Sequence, residues 1–144
     1  PGHVVQGNLR PMTDKQEQGA SNRMWGAFAE QKAAEYLRTL GYVVRERNLR
    51  LRNIEIDIIA QKGNVMVFVE VKARSGNDQD AVEAVDTRKR NRMIAGADIY
   101  LSNLNHDYYW RFDIIALTGT RESYRLDHIQ DAFYPPCVSG QTRK

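Results

Sequence analysis

The chain has 144 residues, 42% of them hydrophobic and 27% charged, which suits one ordinary domain with its own core and excludes bulk disorder. A formal net charge of +3 admits nucleic acid or other anionic partners without demanding them. The single cysteine, Cys137, excludes an internal disulfide and a cysteine zinc site, and His3, His106 and His128 lack ligand spacing.

A reducing, cytoplasmic setting is the simplest fit. No apolar run approaches the roughly 18 residues of a membrane span, so no membrane partner is expected. The opening residues also lack the apolar segment of a signal peptide.

Residues 1–20 are polar and aperiodic and read as a flexible arm. Residues 21–134 hold the periodic segments and form the expected domain, and residues 135–144, after Pro135-Pro136, read as a loose tail. Between 21 and 40, Trp25, Phe28, Ala29, Ala33, Tyr36, Leu37 and Leu40 recur at helical spacing. Ser21 or Asn22 can cap that helix, and Gly41 can end it. Glu30 sits at the edge of the apolar stripe, a position that suits a carboxylate looking into a cleft.

A strand starting at Tyr42 runs into the basic stretch Arg45, Arg47, Arg50 and Arg52. Ile54–Ala60 and Val65–Lys72 are two further strands, joined by a hairpin turn around Gly63. Residues 73–83 read as a loop. A second helix spans about Asp86 to Asn103, with Met93, Ile94, Ala97, Tyr100, Leu101 and Leu104 inward and Arg88, Lys89, Arg90 and Arg92 near its start. Strands at Trp110–Leu117 and Ser123–Ile129 complete the pattern. Helix, three strands, helix and two strands imply an α/β or α+β sandwich.

The two central strands carry acids where strands avoid them. Asp57 lies between Ile56 and Ile58, and Glu70 between Val69 and Val71. Burying an uncompensated carboxylate costs several kcal/mol, so such groups should be paired, metal-bound or facing a wet cleft. A two-residue turn at Lys62-Gly63 sets Gln61 opposite Asn64 and Asp57 opposite Phe68. It puts Ile54, Ile56 and Ile58 with the valines on one face, and Asp57, Glu70 and Lys72 on the other. Asp57 and Glu70 are then diagonal neighbours, about 7–8 Å apart at the backbone. One metal ion can bridge them. Two carboxylates suit Mg²⁺ or Mn²⁺, and a lysine beside them can orient a water or stabilise charge on a phosphate.

The runs Ile54-Glu55-Ile56-Asp57-Ile58-Ile59-Ala60 and Val67-Phe68-Val69-Glu70-Val71-Lys72-Ala73-Arg74 resemble the YraN-like family of bacterial proteins. Gly26-Ala27-Phe28-Ala29-Glu30, Ala33-Ala34-Glu35-Tyr36-Leu37, Arg47-Asn48-Leu49-Arg50, Ala84-Val85-Asp86 with Lys89, and Arg111-Phe112-Asp113 extend the resemblance over roughly residues 22–134. That family is similar to the restriction-endonuclease-like PD-(D/E)xK proteins, with Holliday-junction resolvases near in pattern. The resemblance implies an α/β three-layer sandwich with a central mixed sheet flanked by helices. It also implies a divalent metal and a nucleic-acid substrate.

By position, the resemblance makes Asp57, Glu70 and the Val71 carbonyl metal ligands, Lys72 the catalytic lysine and Glu30 the helical acid. Arg47, Arg50, Arg52, Arg74, Arg88 and Lys89 are candidate nucleic-acid contacts. One departure is Ile54, where the family usually has glycine, which bears on local shape.

Asp113 reads as a structural ion pair with Arg111, and Glu55 as either a group supporting the site from behind or strand surface. Trp25 and Phe28 read as core, and Tyr108, Tyr109 and Trp110 as a strand entering it. The leading expectation is a Mg²⁺- or Mn²⁺-dependent nuclease acting on DNA, including branched or recombining DNA. The alternatives are a non-catalytic or partner-dependent nucleic-acid-binding module on the same fold and an RNA-cleaving endonuclease. A homodimer is compatible with either.

Overall fold

The computed structural model describes residues 10–76 and 85–133. Helix α1 spans Asp14–Thr39, starting well before the expected boundary at residue 21. Its cap is Thr13 rather than Ser21 or Asn22. Thr13 accepts from the Gln16 N–H at 3.1 Å, and the Gln16 side chain accepts from the Thr13 N–H at 2.9 Å. Residues 14–20 thus belong to a helix, and residues 1–9 of the expected arm lie outside the described residues, as do residue 134 and the expected tail at 135–144. The early turns are mostly exposed, so no apolar stripe announced them. At the other end Gly41 takes φ 91°, with Gly41 N–H donating to the Arg38 carbonyl and Tyr42 N–H to that of Leu37.

Strands β1 (Val43–Leu51), β2 (Ile54–Lys62) and β3 (Val65–Arg74) form an antiparallel meander. Helix α2 (Thr87–Ser102), capped by Asp86, crosses over to β4 (Tyr109–Gly119), which runs parallel to β3. Strand β5 (Tyr124–Phe133) returns antiparallel, giving the order β1-β2-β3-β4-β5. Ala29, Ala33, Ala34 and Leu37 of α1 close one face over Ile58, Ala60, Val67, Val69, Ile115 and Leu117. Met93 and Ala97 of α2 close the other over Ile56, Ile59, Met66, Phe68, Phe112 and Ile114. The result is an α/β three-layer sandwich with a mixed central sheet.

Two expectations about the hairpin need correction. The turn is Gly63-Asn64, not Lys62-Gly63: Lys62 pairs with Val65 and Ile58 with Val69. Gly63, at φ 58°, takes the first of the two central positions. The slip is two residues, so each side chain keeps its face. The second correction is larger. Ile58 and Ala60 face α1, yet Ile54 and Ile56 face α2 together with Ile59. Alternation therefore breaks at Asp57. Across from it on β1, Asn48 adopts φ 51°, and the ladder skips both residues.

Ile54 fits because of a glycine on the opposing helix. A Cβ on Gly96 would meet Ile54 Cγ2 at 2.9 Å and Ile56 Cδ1 at 3.0 Å. Gly96→Ala adds about 1 kcal/mol of helix propensity, against an overpacking cost of about 1–3 kcal/mol. We expect net destabilisation in urea melts. Ile54→Ala in the same chain removes the closer of the two contacts, so the double variant should be more stable than additivity allows.

Candidate functional site

The sheet forks at Asp57. Strands β2 and β3 pair from their turn as far as Ile58 and Val69. Beyond that point β2 continues with β1 to the turn after Leu51, while β3 continues with β4 to Arg74 and Thr118. Where the main-chain ladder stops, the Asp57 carboxylate accepts the Val71 N–H at 2.9 Å. The side chain thus stands in for a ladder carbonyl, which fixes it toward β3.

Glu70 is buried, with 3% of its surface exposed. Lys89 Nζ lies 3.3 Å from its Oε2 and Lys72 Nζ 3.6 Å from the same atom. Its Oε1 is buried without a hydrogen-bond partner among the described residues. Burial pushes the Asp57 carboxyl up to about 7, the neighbouring Glu70 carboxylate adds to this, and the Val71 N–H opposes it. Glu30 is also raised, first by burial and then by Asp57, against the Asn48 side chain and Arg47. Glu30, Asp57, Glu70, Lys72 and Lys89 therefore meet at one place, with α1 supplying an acid from one face and α2 a cation from the other.

No group of three or more His, Cys, Asp or Glu side chains that can hold a metal ion occurs among the described residues. Asp57 and Glu70 are a two-carboxylate set, and Glu30 does not complete it as a ligand. The fit to a hard divalent cation rests on other ground. An acceptor-only oxygen, Glu70 Oε1, is buried without a donor among the described residues, beside an Asp57 carboxyl whose charge burial disfavours. Hard oxygen donors of this kind suit Mg²⁺ or Mn²⁺ better than a soft ion.

The Asp57 shift has a stability consequence. Its carboxyl keeps a proton in the folded chain up to about pH 7, whereas its ordinary value is 3.8. The folded state binds more protons between those values, so stability falls as pH rises through that window. In chelator-containing buffer the wild-type chain should melt several degrees lower at pH 8 than at pH 5. Asp57→Asn should remove most of that difference. An unchanged difference in the variant would assign the pH dependence to other groups.

The basic residues divide. Arg47 lies near enough to Glu30 to lower its pKa. Arg50 pairs with Glu55 at 3.2 Å on the exposed β1–β2 arm, which favours the strand-surface reading of Glu55. Arg52 occupies the turn of that arm at φ 57°, and Arg92 donates to the Asn53 carbonyl beside it, tying the arm to α2. Arg74 ends β3 half-buried, and Arg88 is exposed at the start of α2. The fork therefore has basic side chains along both margins.

Asp113 is structural. Arg111 Nε and Nη2 donate to its two oxygens at 2.8 and 2.9 Å, His128 Nε2 lies 2.7 Å away, and the Asp131 N–H donates at 3.0 Å. Burial alone would raise its pKa, but the bonds from His128, Arg111 and Asp131 hold it below the usual range. Tyr36 and Tyr42 extend this network through His128 and Arg111. Trp25 and Phe28 are half-buried rather than fully core, stacked at 5.8 Å beside Tyr124. Trp110 packs on the α2-side core, while Tyr109 is exposed. Sequence reasoning did not single out Asn48 for a role. Its signal was available: asparagine is one of the few residues that accept left-handed backbone, and it falls opposite Asp57.

Among the described residues, no helix is long and apolar enough to cross a membrane. The family model described as Uncharacterised protein family UPF0102 matches residues 29–117, which contain all the acids and lysines of the fork. A UPF0102 protein of Bacteroides thetaiotaomicron is 42% identical over 118 residues, covering 81% of this chain and 98% of that protein. One from Flavobacterium psychrophilum is 39% identical over 113 residues, covering 76% and 92%. One from Clostridium botulinum is 38% identical over 117 residues, covering 78% and 95%. With the match reaching across both faces of the sheet and nearly the full length of these relatives, the chain belongs to the UPF0102 family, the YraN-like proteins that its strand motifs resemble.

Proposed function

We propose that the protein is a Mg²⁺- or Mn²⁺-dependent nuclease that hydrolyses phosphodiester bonds in DNA. The observation that carries this reading is the buried Glu70 carboxylate, with one oxygen unpartnered among the described residues and the other facing two lysines, beside Asp57 at the fork. Asp57, Glu70 and the Val71 carbonyl would hold the ion. When bound, such an ion lowers the pKa of a water and polarises a phosphate oxygen.

The side chains then have separable tasks. The Val71 N–H fixes the rotamer of Asp57. Lys72, two residues beyond Glu70 on β3, presents its ammonium on the face shared with that carboxylate. There it can donate to the attacking water or to a non-bridging phosphate oxygen. Glu30 lies near Asp57 on α1; burial and Asp57 raise its pKa, which makes its carboxylate a stronger base that can accept a proton from the water. Arg47, Arg50, Arg52, Arg74 and Arg88 border the fork and supply phosphate contacts that carry no sequence information. Such a site suits a strand displaced from regular duplex, as at a branch, because the fork has two arms and basic margins on both.

The test is direct. Purified protein with Mn²⁺ is incubated with end-labelled linear, nicked, flapped and four-way DNA, and with single-stranded RNA. Cleavage of at least one DNA form is expected. Salt-sensitive binding without cleavage of any form supports the non-catalytic binding module instead, and cleavage of the RNA alone moves the substrate to RNA.

A further inference from the structure

We infer that Lys89 is a metal-released phosphate contact, one that neutralises Glu70 in the metal-free protein and turns to the nucleic-acid backbone when a divalent cation takes over that carboxylate. The inference rests on the proposed nuclease reading and deepens it.

Of the cations at the site, Lys89 is nearest to Glu70, at 3.3 Å. The two partners differ sharply in surroundings: the Glu70 side chain is 4% exposed and the Lys89 side chain 41%. The ammonium thus bridges a buried anion and open solvent, and a change of side-chain torsions alone moves it outward. The backbone beneath it is fixed, because the Lys89 N–H donates to the Asp86 carboxylate at 2.8 Å.

The sequence of this helix end is unusual for a purely structural element. The first turn of a helix favours acids, since its free N–H groups carry partial positive charge. Here the first turn holds no acid, and Arg88, Lys89 and Arg90 stand together. Arg90 has a structural task, donating to the Val85 carbonyl at 2.7 Å and lying over the Phe133 ring. Arg88 is exposed. The Asp86 cap offsets part of the helix dipole, and Arg88 and Lys89 still leave positive charge toward solvent, where an incoming anion is favoured.

Charge balance gives the order of events. With both acids ionised, Asp57 and Glu70 balance Lys72 and Lys89. A divalent ion between the acids leaves two surplus positive charges in a poorly solvated place. Lys72 is the less exposed lysine and shares a strand with Glu70. Lys89 is the one free to leave, and a phosphate is the anion that restores the balance.

The experiment uses the full chain, Mn²⁺ as the metal probe and labelled duplex DNA in a fixed low Ca²⁺ concentration. Titration calorimetry should show Mn²⁺ binding severalfold tighter to Lys89→Met than to wild type, because a competitor has gone. For wild type, the slope of log Kd against log salt should steepen by about one in Ca²⁺ relative to chelator, the mark of one added phosphate contact. Lys89→Met should lose that steepening and Lys89→Arg should keep it, with circular dichroism confirming the fold of each. Unchanged Mn²⁺ affinity together with an unchanged steepening in Lys89→Met overturns the role of Lys89 and leaves the nuclease reading standing. Absence of Mn²⁺ binding to wild type overturns both.

Discussion

Asp57→Ala should lower Mn²⁺-dependent cleavage by ~10³-fold or more, a loss of about 4 kcal/mol in transition-state stabilisation. The substitution removes one of two carboxylates and also frees the Val71 N–H, so the end of the fork loses its tie. Folding should survive. Asp57 is a group that burial and Glu70 make costly to ionise, and its loss relieves that repulsion. The expected signature is therefore unusual for a buried-acid variant: activity gone, melting temperature in chelator at pH 8 unchanged or higher. Lys72→Met should match it in activity without any loss of Mn²⁺ binding, because the lysine acts on water or phosphate and is not a ligand of the ion. Single-turnover assays with calorimetry separate the two. Full activity in Asp57→Ala would remove the carboxylate pair from the chemistry altogether.

The second large effect concerns stability. Asp113→Ala should destabilise the fold by about 3 kcal/mol or more, in the range seen when one partner of a buried ion pair is removed. Two cationic or polar partners, Arg111 and His128, would be left facing a carboxylate that no longer exists, and the Asp131 N–H would lose its acceptor. Arg50→Ala provides the contrast. It breaks the exposed pair with Glu55, and its cost should stay within about 0.5 kcal/mol. Urea denaturation of the three chains measures both. A small loss for Asp113→Ala would mean that water replaces the carboxylate in the network.

The difference between these two acids was legible in part. Both lie in apolar strand contexts, Ile-Asp-Ile and Phe-Asp-Ile. What distinguished them in sequence was the neighbouring Arg111, two residues away on the same face, which pointed to a structural pair. His128 and Tyr36 were out of reach of that argument, because they come from β5 and α1, far along the chain. The hairpin of the site was legible as a hairpin, but its register was not. Lys62-Gly63 and Gly63-Asn64 both place glycine in a two-residue turn, and both keep the same faces, so local chemistry does not choose between them.

The fork itself was hidden for a different reason. Strand β2 is covered by helices on both sides, so isoleucines at 54, 56, 58 and 59 all find apolar surroundings whichever way they turn. A strand buried on both faces carries no alternation to betray a break. The first turns of α1 were invisible because solvent surrounds them and only their polar capping box marks the start. Lys89 could be suspected from its basic neighbours, but its contact with Glu70 depends on how α2 lies across the sheet.

The connection from β3 through α2 to β4 has a consequence for the order of assembly. Asp57 and Glu70 belong to a hairpin closed by two residues, so they meet through a short, entropically cheap loop. Lys89 reaches them only when the parallel crossover has closed, a non-local step that is intrinsically slow. During folding, the two acids thus meet with only Lys72 beside them, before Lys89 arrives. Until the crossover closes, two adjacent carboxylates share one lysine, and a proton or a divalent ion present at that moment would lower the barrier that the chain alone has to cross.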